Sequence, residues 1–230
     1  MREDWDPPLK RGIDLVLSGV GLLIASPLLA IGALLVYLED RGPVVYRQTR
    51  VGRGGRLFEV VKLRSMRVNT VPVLELGQID ESHPLVTRTG RVLRRFKIDE
   101  ILQLLNVLRG EMSLVGPRPS LPELVAQYDA FQRRRLSVPP GITGWAQVNG
   151  GIQLSWDERI VLDIWYLDHW TLALDAWILL KTVGVLLFGE RLNARVLEAA
   201  LAHARRMTPN PAPGVSIGVV SAGGTSVGPS

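Results

Sequence analysis

Residues 15–38, LVLSGVGLLIASPLLAIGALLVYL, contain no Asp, Glu, Lys or Arg. As a helix this block would be about 36 Å long, enough to cross a hydrocarbon core of about 30 Å. It is longer than the apolar part of a signal peptide, and no A-x-A-like cleavage site follows it, so a removed leader is not expected. A plain span meets two obstacles. Ser26-Pro27 lies at the midpoint. Proline removes a backbone donor and crowds the preceding turn, so a kink or break is expected there, with local help from the Ser26 hydroxyl. Each half would then be about 18 Å long, too short to cross alone. The flanks are the second obstacle. Lys10 and Arg11 precede the block, and Arg41, Arg47, Arg50, Arg53, Arg56, Lys62, Arg64 and Arg67 follow it. Basic residues favour the cytoplasmic side, and here both flanks are basic. A re-entrant helix that dips in, bends at Ser26-Pro27 and leaves on the same face satisfies both flanks. A kinked bitopic span is the other reading these residues allow.

A chain of 230 residues has room for one packed domain beside such an element. There is no Cys, which excludes disulfides, thiolate zinc sites and cysteine nucleophiles. Residues 1–9 read as a polar end. Residues 43–48 and 57–63 read as strands flanking a turn with Gly52, Gly54 and Gly55, and 68–85 as a loop. Ile98, Ile101, Leu102, Leu105 and Leu108 share one helical face, and Gly110 suits the C-cap. Residues 120–135, 155–168 and 173–188 read as helices, and 137–154 as a Gly/Pro-rich loop. Trp145, Trp156, Trp165, Trp170 and Trp177 suit either a membrane interface or an ordinary core. Residues 207–230 have the composition of a disordered tail.

Asp99-Glu100 follows Arg88, Arg91, Arg94, Arg95 and Lys97. Carboxylates at a helix start are ordinarily caps. A strongly basic approach to an acidic pair also suits a phosphate-bearing substrate, because a carboxylate can ligate Mg²⁺ or attack phosphorus. Pro117-Arg118-Pro119 fixes the backbone around one guanidinium, a good bidentate phosphate ligand. Arg159 and Asp163 are spaced as a surface i,i+4 pair. His83, His169 and His203 show no metal spacing, and no P-loop, G-x-G-x-x-G or zinc motif is present.

Taken in order, the chain resembles the bacterial sugar transferases, specifically the small monotopic phosphoglycosyl transferases. The matching text is K-R-x-x-D at Lys10, Arg11 and Asp14, then Ser26-Pro27, G-P-V-V-Y-R-Q-T-R-V-G from Gly42, K-L-R-S-M from Lys62 and T-G-R-x-L-R from Thr89. It continues with D-E-I-L-Q-L-x-N-V-L-x-G-E-M-S-L-V-G-P-R-P from Asp99, P-G-I-T-G-W-A-Q-V-N-G from Pro140, and the helix with Asp163 and Tyr166. The resemblance covers roughly residues 9–189 and implies an α+β, mostly helical fold. That fold would have an N-terminal re-entrant membrane helix bent at Ser26-Pro27, interfacial amphipathic helices and a small β-hairpin. The implied organisation is a polar end over 1–9, the membrane helix over 10–40, a catalytic domain over 41–189 and an extension over 190–230.

The implied reaction transfers sugar-1-phosphate from a UDP-sugar to polyprenyl phosphate, the undecaprenyl carrier by family habit, and starts bacterial glycoconjugate assembly. The resemblance makes Asp99 the nucleophile of a covalent intermediate and Glu100 the Mg²⁺ ligand. It gives Lys62 charge stabilisation, Arg118 phosphate, Asp163 support of the metal or of basic residues, and Arg88 and Arg91 the mouth of the site. The implied setting is the cytoplasmic face of the inner membrane, in contact with the lipid bilayer, with no nucleic-acid partner and room for a homodimer. Leu102 stands where the family usually has proline, Gly151 where many members have Arg, Leu63 for a common Phe and Glu111 for a common Asp. The rival reading is a non-catalytic, membrane-anchored basic binding protein, which a pI near 10 would suit.

Overall fold

The computed structural model describes residues 7–68 and 83–207. Helix α1 runs from Pro8 to Glu39 without a break. Pro8 fits the first turn, where its missing N–H costs nothing. Pro27 deprives the Leu23 carbonyl of its helical donor. The Ser26 hydroxyl donates to that same carbonyl at 2.8 Å, and of the expected kink or break the break is not seen, since the helix is continuous across Pro27. Both ends of α1 rest on one folded body. At the first end Lys10 Nζ lies 2.6 Å from Asp175 and Asp14 accepts from Ser113 Oγ at 2.7 Å. Arg11 donates to the Val107 carbonyl at 2.7 Å. At the far end Gly32 lets Leu63 and Leu93 approach closely. Glu39 accepts there from the Arg88 and Thr89 amides, both at 2.7 Å. Between them only the outward side stands clear, with Leu23 and Ile24 each 75% exposed, while Ser18 is buried, Gly21 faces the Leu104 side chain, and Leu29 and Ala33 pack beside Leu63 and Leu93.

Strands β1 (Val45–Val51) and β2 (Leu57–Leu63) form the expected antiparallel hairpin, with Tyr46 opposite Lys62. Helix α2 covers Arg88–Arg95 and is capped by Thr87. The stretch expected as one helix from Ile98 is a 3₁₀ turn over Ile98–Gln103 followed by α3, Leu104–Arg109, which ends at Gly110 with φ 83°. Its apolar residues do not build the main core. Ile98 and Leu102 pack with Val36, Leu63 and Leu93 beside α1. The buried face carries Asp99, Gln103 and Asn106 instead. Asn106 accepts from Val61 N at 3.1 Å and donates to the Glu59 carbonyl at 2.7 Å, so its amide pairs with β2 as a strand edge would.

Strands β3 (Ser113–Val115) and β4 (Gly141–Thr143) form a short parallel pair, β4 inside the stretch read as a loop and β3 in a stretch given no element. Glycine is required at that crossing, because a Cβ on Gly141 would collide with the Gly116 backbone. The helix expected over 120–135 is divided into α4 (Pro122–Ala126) and α5 (Ala130–Arg133). Asp129 and Gln132 form a capping box that starts α5 afresh. Helix α6 spans Trp145–Val148, within the stretch expected as a loop. Helices α7 (Trp156–His169) and α8 (Leu172–Phe188) lie where expected.

The core is centred on Ile160, Leu162, Ile164 and Tyr166 of α7. Helix α9, Ala194–Met207, packs Leu197, Ala200 and Ala204 into that core and was not anticipated. Trp145 and Trp170 are buried, and Trp145 stacks on Trp165 at 5.1 Å. Trp177, Leu180, Val183, Leu187 and Phe188 of α8 face outward. Most of the loop expected over 68–85, and the tail beyond 207, lie outside the described residues.

Candidate active site

The 3₁₀ turn presents two adjacent carboxylates in opposite circumstances. Glu100 accepts from Lys62 Nζ at 2.7 Å, and Arg118 grips it with both terminal nitrogens, one at 3.1 Å from Oε2. Burial pushes the Glu100 carboxyl up, but the Arg118 and Lys62 charges and their hydrogen bonds hold it well below the usual range. Asp99 is 6% exposed, and its Oδ1 has no hydrogen-bond partner among the described residues. Burial raises the Asp99 carboxyl, the Glu100 charge raises it further, and Lys62, Arg94 and Arg118 oppose them. Neighbouring carboxylates driven apart in acidity mark a place where one charge is stabilised and the other left reactive.

The cations reach this point from separate elements. Lys62 closes β2, and burial lowers its ammonium against the pull of Glu100. Arg118 comes from a loop whose carbonyls are all taken. Pro117 O accepts from Gly141 N at 2.8 Å, Arg118 O from Arg135 at 3.1 Å, and Pro119 O from Arg50 at 3.2 Å. Burial and the Arg118 charge pull the Arg50 guanidinium down to about 10. Arg135 is itself buried, donating to Tyr128 Oη at 2.7 Å and Ser120 Oγ at 3.1 Å.

Asp163 is in a 2.6 Å ion pair with Arg135, so the expected surface pair with Arg159 gives way to a buried one. Arg159 instead donates to the Leu154 carbonyl at 3.1 Å. Asp163 thus meets the dyad only through Arg135 and the Arg118 loop, and a basic residue is what it supports. Lys62, Asp99, Glu100 and Arg118 are brought together. Arg88 and Arg91 sit exposed on α2, while Arg94, one turn on, is the residue of that helix whose charge acts on Asp99. Arg94 Nε also donates to Ser65 Oγ at 2.9 Å. The sequence reading placed Arg50 and Arg94 in basic runs but gave neither a site role, and it missed Arg135. The spacing of Arg91 and Arg94 could have suggested the second; Arg135 was hidden in a run of arginines that resembles a solvated helix end.

No group of three or more His, Asp or Glu converges among the described residues. The described residues therefore offer no full metal shell by themselves. The donors do suit an ion completed by phosphate and water, the usual way Mg²⁺ is held. Glu100 Oε2 retains acceptor capacity beside Arg118, and Asp99 Oδ1 is unpartnered.

A helix long and apolar enough to cross a membrane thus packs beside a buried acid-and-cation centre. The bacterial sugar transferase family model matches residues 5–189, and the chain belongs to that family. It is 41% identical over 182 residues to a protein of Bacillus subtilis (strain 168) named Uncharacterized sugar transferase EpsL, covering 79% of this chain and 89% of that one. It is also 41% identical over 195 residues to the UDP-glucose:undecaprenyl-phosphate glucose-1-phosphate transferase of Caulobacter vibrioides (strain ATCC 19089 / CIP 103742 / CB 15), covering 77% of this chain and 69% of that protein. Identity reaches 44% over 191 residues with the Undecaprenyl-phosphate glucose phosphotransferase of Komagataeibacter xylinus, where the match covers 78% of this chain but 36% of the longer relative.

Proposed function

We propose that this chain is a phosphoglycosyl transferase that moves sugar-1-phosphate from a UDP-sugar to polyprenyl phosphate, the undecaprenyl carrier named for its relatives. The observation that carries this is the divided dyad: Glu100 neutralised by two cations, Asp99 buried with a free oxygen. Asp99 attacks the sugar-linked phosphorus, the bond to the bridging oxygen breaks, and UMP departs. The product is an acyl phosphate carrying the sugar. A phosphate oxygen of the lipid then attacks the same phosphorus, giving polyprenyl-diphosphate-sugar and restoring the Asp99 carboxylate. Arg118 and Lys62 balance the charge of the diphosphate. Asp163 acts on the reaction only by holding Arg135. Arg88 and Arg91 are available to the lipid phosphate at the exposed face of α2. Glu100 is the residue that would hold Mg²⁺, which when bound neutralises the diphosphate.

The re-entrant reading of α1 belongs to this proposal. A straight helix of 32 residues is about 48 Å long. One body touching both ends of a helix that crossed a bilayer would have to lie on both sides of it. Contact at Lys10–Asp14 and at Val36–Glu39 therefore favours a bend at Ser26-Pro27 with both ends on the cytoplasmic face. The outward apolar side of α8 suits the same lipid surface. A homodimer is compatible with this arrangement but plays no part in the chemistry.

The test uses detergent-solubilised protein, Mg²⁺ and UDP-sugars labelled in the β-phosphate. An acid-trapped adduct should map to Asp99, with UMP released, and chelation by EDTA should suppress both until Mg²⁺ is restored. Asp99→Asn should abolish adduct and turnover, by about three orders of magnitude or more, while leaving the fold intact. Turnover without an adduct would favour direct displacement. Neither adduct nor UMP across a panel of UDP-sugars would leave the basic binding protein as the better reading.

A further inference from the structure

Glu190 is the first residue beyond the family match. Its side chain is 15% exposed. Oε2 accepts from Ile152 N at 2.6 Å, and Oε1 lies 3.3 Å from Lys97 Nζ. The Glu190 carbonyl accepts from Gln153 Nε2 at 2.7 Å, and Asn193 N donates to the Asn149 carbonyl at 3.1 Å. The link between α8 and α9 is thereby stitched along residues 149–153.

Gly151 makes the fit available. Its φ is +54°, and a Cβ there would run into the Glu190 carboxylate. The acid fills the room a side chain at 151 would use. Lys97 is the single non-glycine residue with positive φ among the described residues, at 54°, and it stands at the N-cap of the turn that carries the dyad. Left-handed backbone is unfavourable for lysine and persists where the surroundings hold it. Nothing caps this turn with a side chain, and Leu102 supplies no stiffening ring within it. The negative charge of Glu190 also acts on Arg118 and Arg159.

We infer that Glu190 is a positioning residue: through Lys97 it holds the Ile98–Gln103 turn in the conformation that sets Asp99 against Lys62 and Arg118. The extension after residue 189 thus completes the site. Its catalytic consequence rests on the transferase reading; its structural consequence does not.

The test uses the full chain in detergent or nanodiscs, as wild type, Glu190→Gln, Lys97→Met and the double variant. Glutamine still accepts from Ile152 N, so the stitch along 149–153 is retained. Amide hydrogen exchange over residues 97–103 should quicken several-fold in each single variant, with α9 unchanged, and the double should be no worse than the worse single. kcat should fall several-fold with KM for the UDP-sugar unchanged, and Lys97→Arg should retain activity. Unchanged exchange over 97–103 in both single variants, or strictly additive effects, would overturn the inference. A wild type that turns over no UDP-sugar counts against the transferase reading alone, because the exchange comparison still decides the latch.

Discussion

Two short segments meet at the site, and they are built in opposite ways. The Pro117–Pro119 loop has two rings fixing its dihedrals and a donor on each carbonyl. The turn carrying Asp99 and Glu100 starts from a left-handed lysine, runs as 3₁₀ helix and leaves Asp99 Oδ1 without a partner among the described residues. The contrast separates two tasks. On the proposed reaction, a cation that meets a diphosphate in one orientation gains from a rigid mount. On the same proposed reaction, a carboxylate that forms and then loses a bond to phosphorus gains from not being tied into hydrogen bonds that its attack would break.

After loss of the Asp99 carboxylate, replacing the cation should produce the next largest effect. Arg118→Lys keeps a charge but loses the two-pronged grip on Glu100, and kcat/KM should fall by about 10²–10³-fold. The pH profile gives a second reading. Asp99 must be ionised to attack, and its carboxyl already lies above the ordinary aspartate value, with Arg118 among the charges restraining it. Activity is therefore lost as pH falls through that raised value. Arg118→Gln removes the restraint, so the acid limb of kcat/KM should move to higher pH. A limb that stays put would mean Arg118 does not act on Asp99.

The mount itself is tested next. Asp163→Asn strands the Arg135 guanidinium in a buried pocket where the two side chains are 4% and 2% exposed. Breaking such a pair costs about 3–5 kcal/mol, to be read by chemical denaturation. The remaining folded protein should show a lower kcat with little change in the acid limb. The smallest effect belongs to Arg50→Gln, which removes one of the three carbonyl donors. A loss of about 1 kcal/mol in transition-state stabilisation, roughly five-fold in kcat/KM, is expected. A larger loss would show that Arg50 meets substrate directly.

The hairpin around Gly52, Gly54 and Gly55 was legible because glycine punctuation and β-branched runs act locally. Helices α7 and α8 were legible for the same reason. The dyad and the Pro-Arg-Pro loop stood out because few structural roles need those residues so close to a basic stretch. What stayed hidden depends on partners distant in sequence. The apolar stripe from Ile98 to Leu108 looked like a core face, yet much of it turns toward α1. The polar residues Gln103 and Asn106 are buried because Asn106 finds the backbone of β2. Arg135 is buried because Asp163, Ser120 and Tyr128 meet it there. Strands of three residues carry too few positions for a period, which concealed β3 and β4.

The two-ended seating of α1 has a mechanical consequence. A helix fastened only at its root can swing, and its angle then carries no information to the rest of the molecule. Here Asp14 and Lys10 fasten one end and Glu39 the other, so helix and body turn as one piece. If α1 lies in lipid, any change in leaflet thickness or lateral pressure that tilts it is felt as a load on α2 and on the turn packed against Val36 and Leu93. The height of Asp99 above the lipid surface is then a built dimension of the protein, and on the proposed reaction the phosphate on a long flexible lipid chain is the partner that rises to meet it.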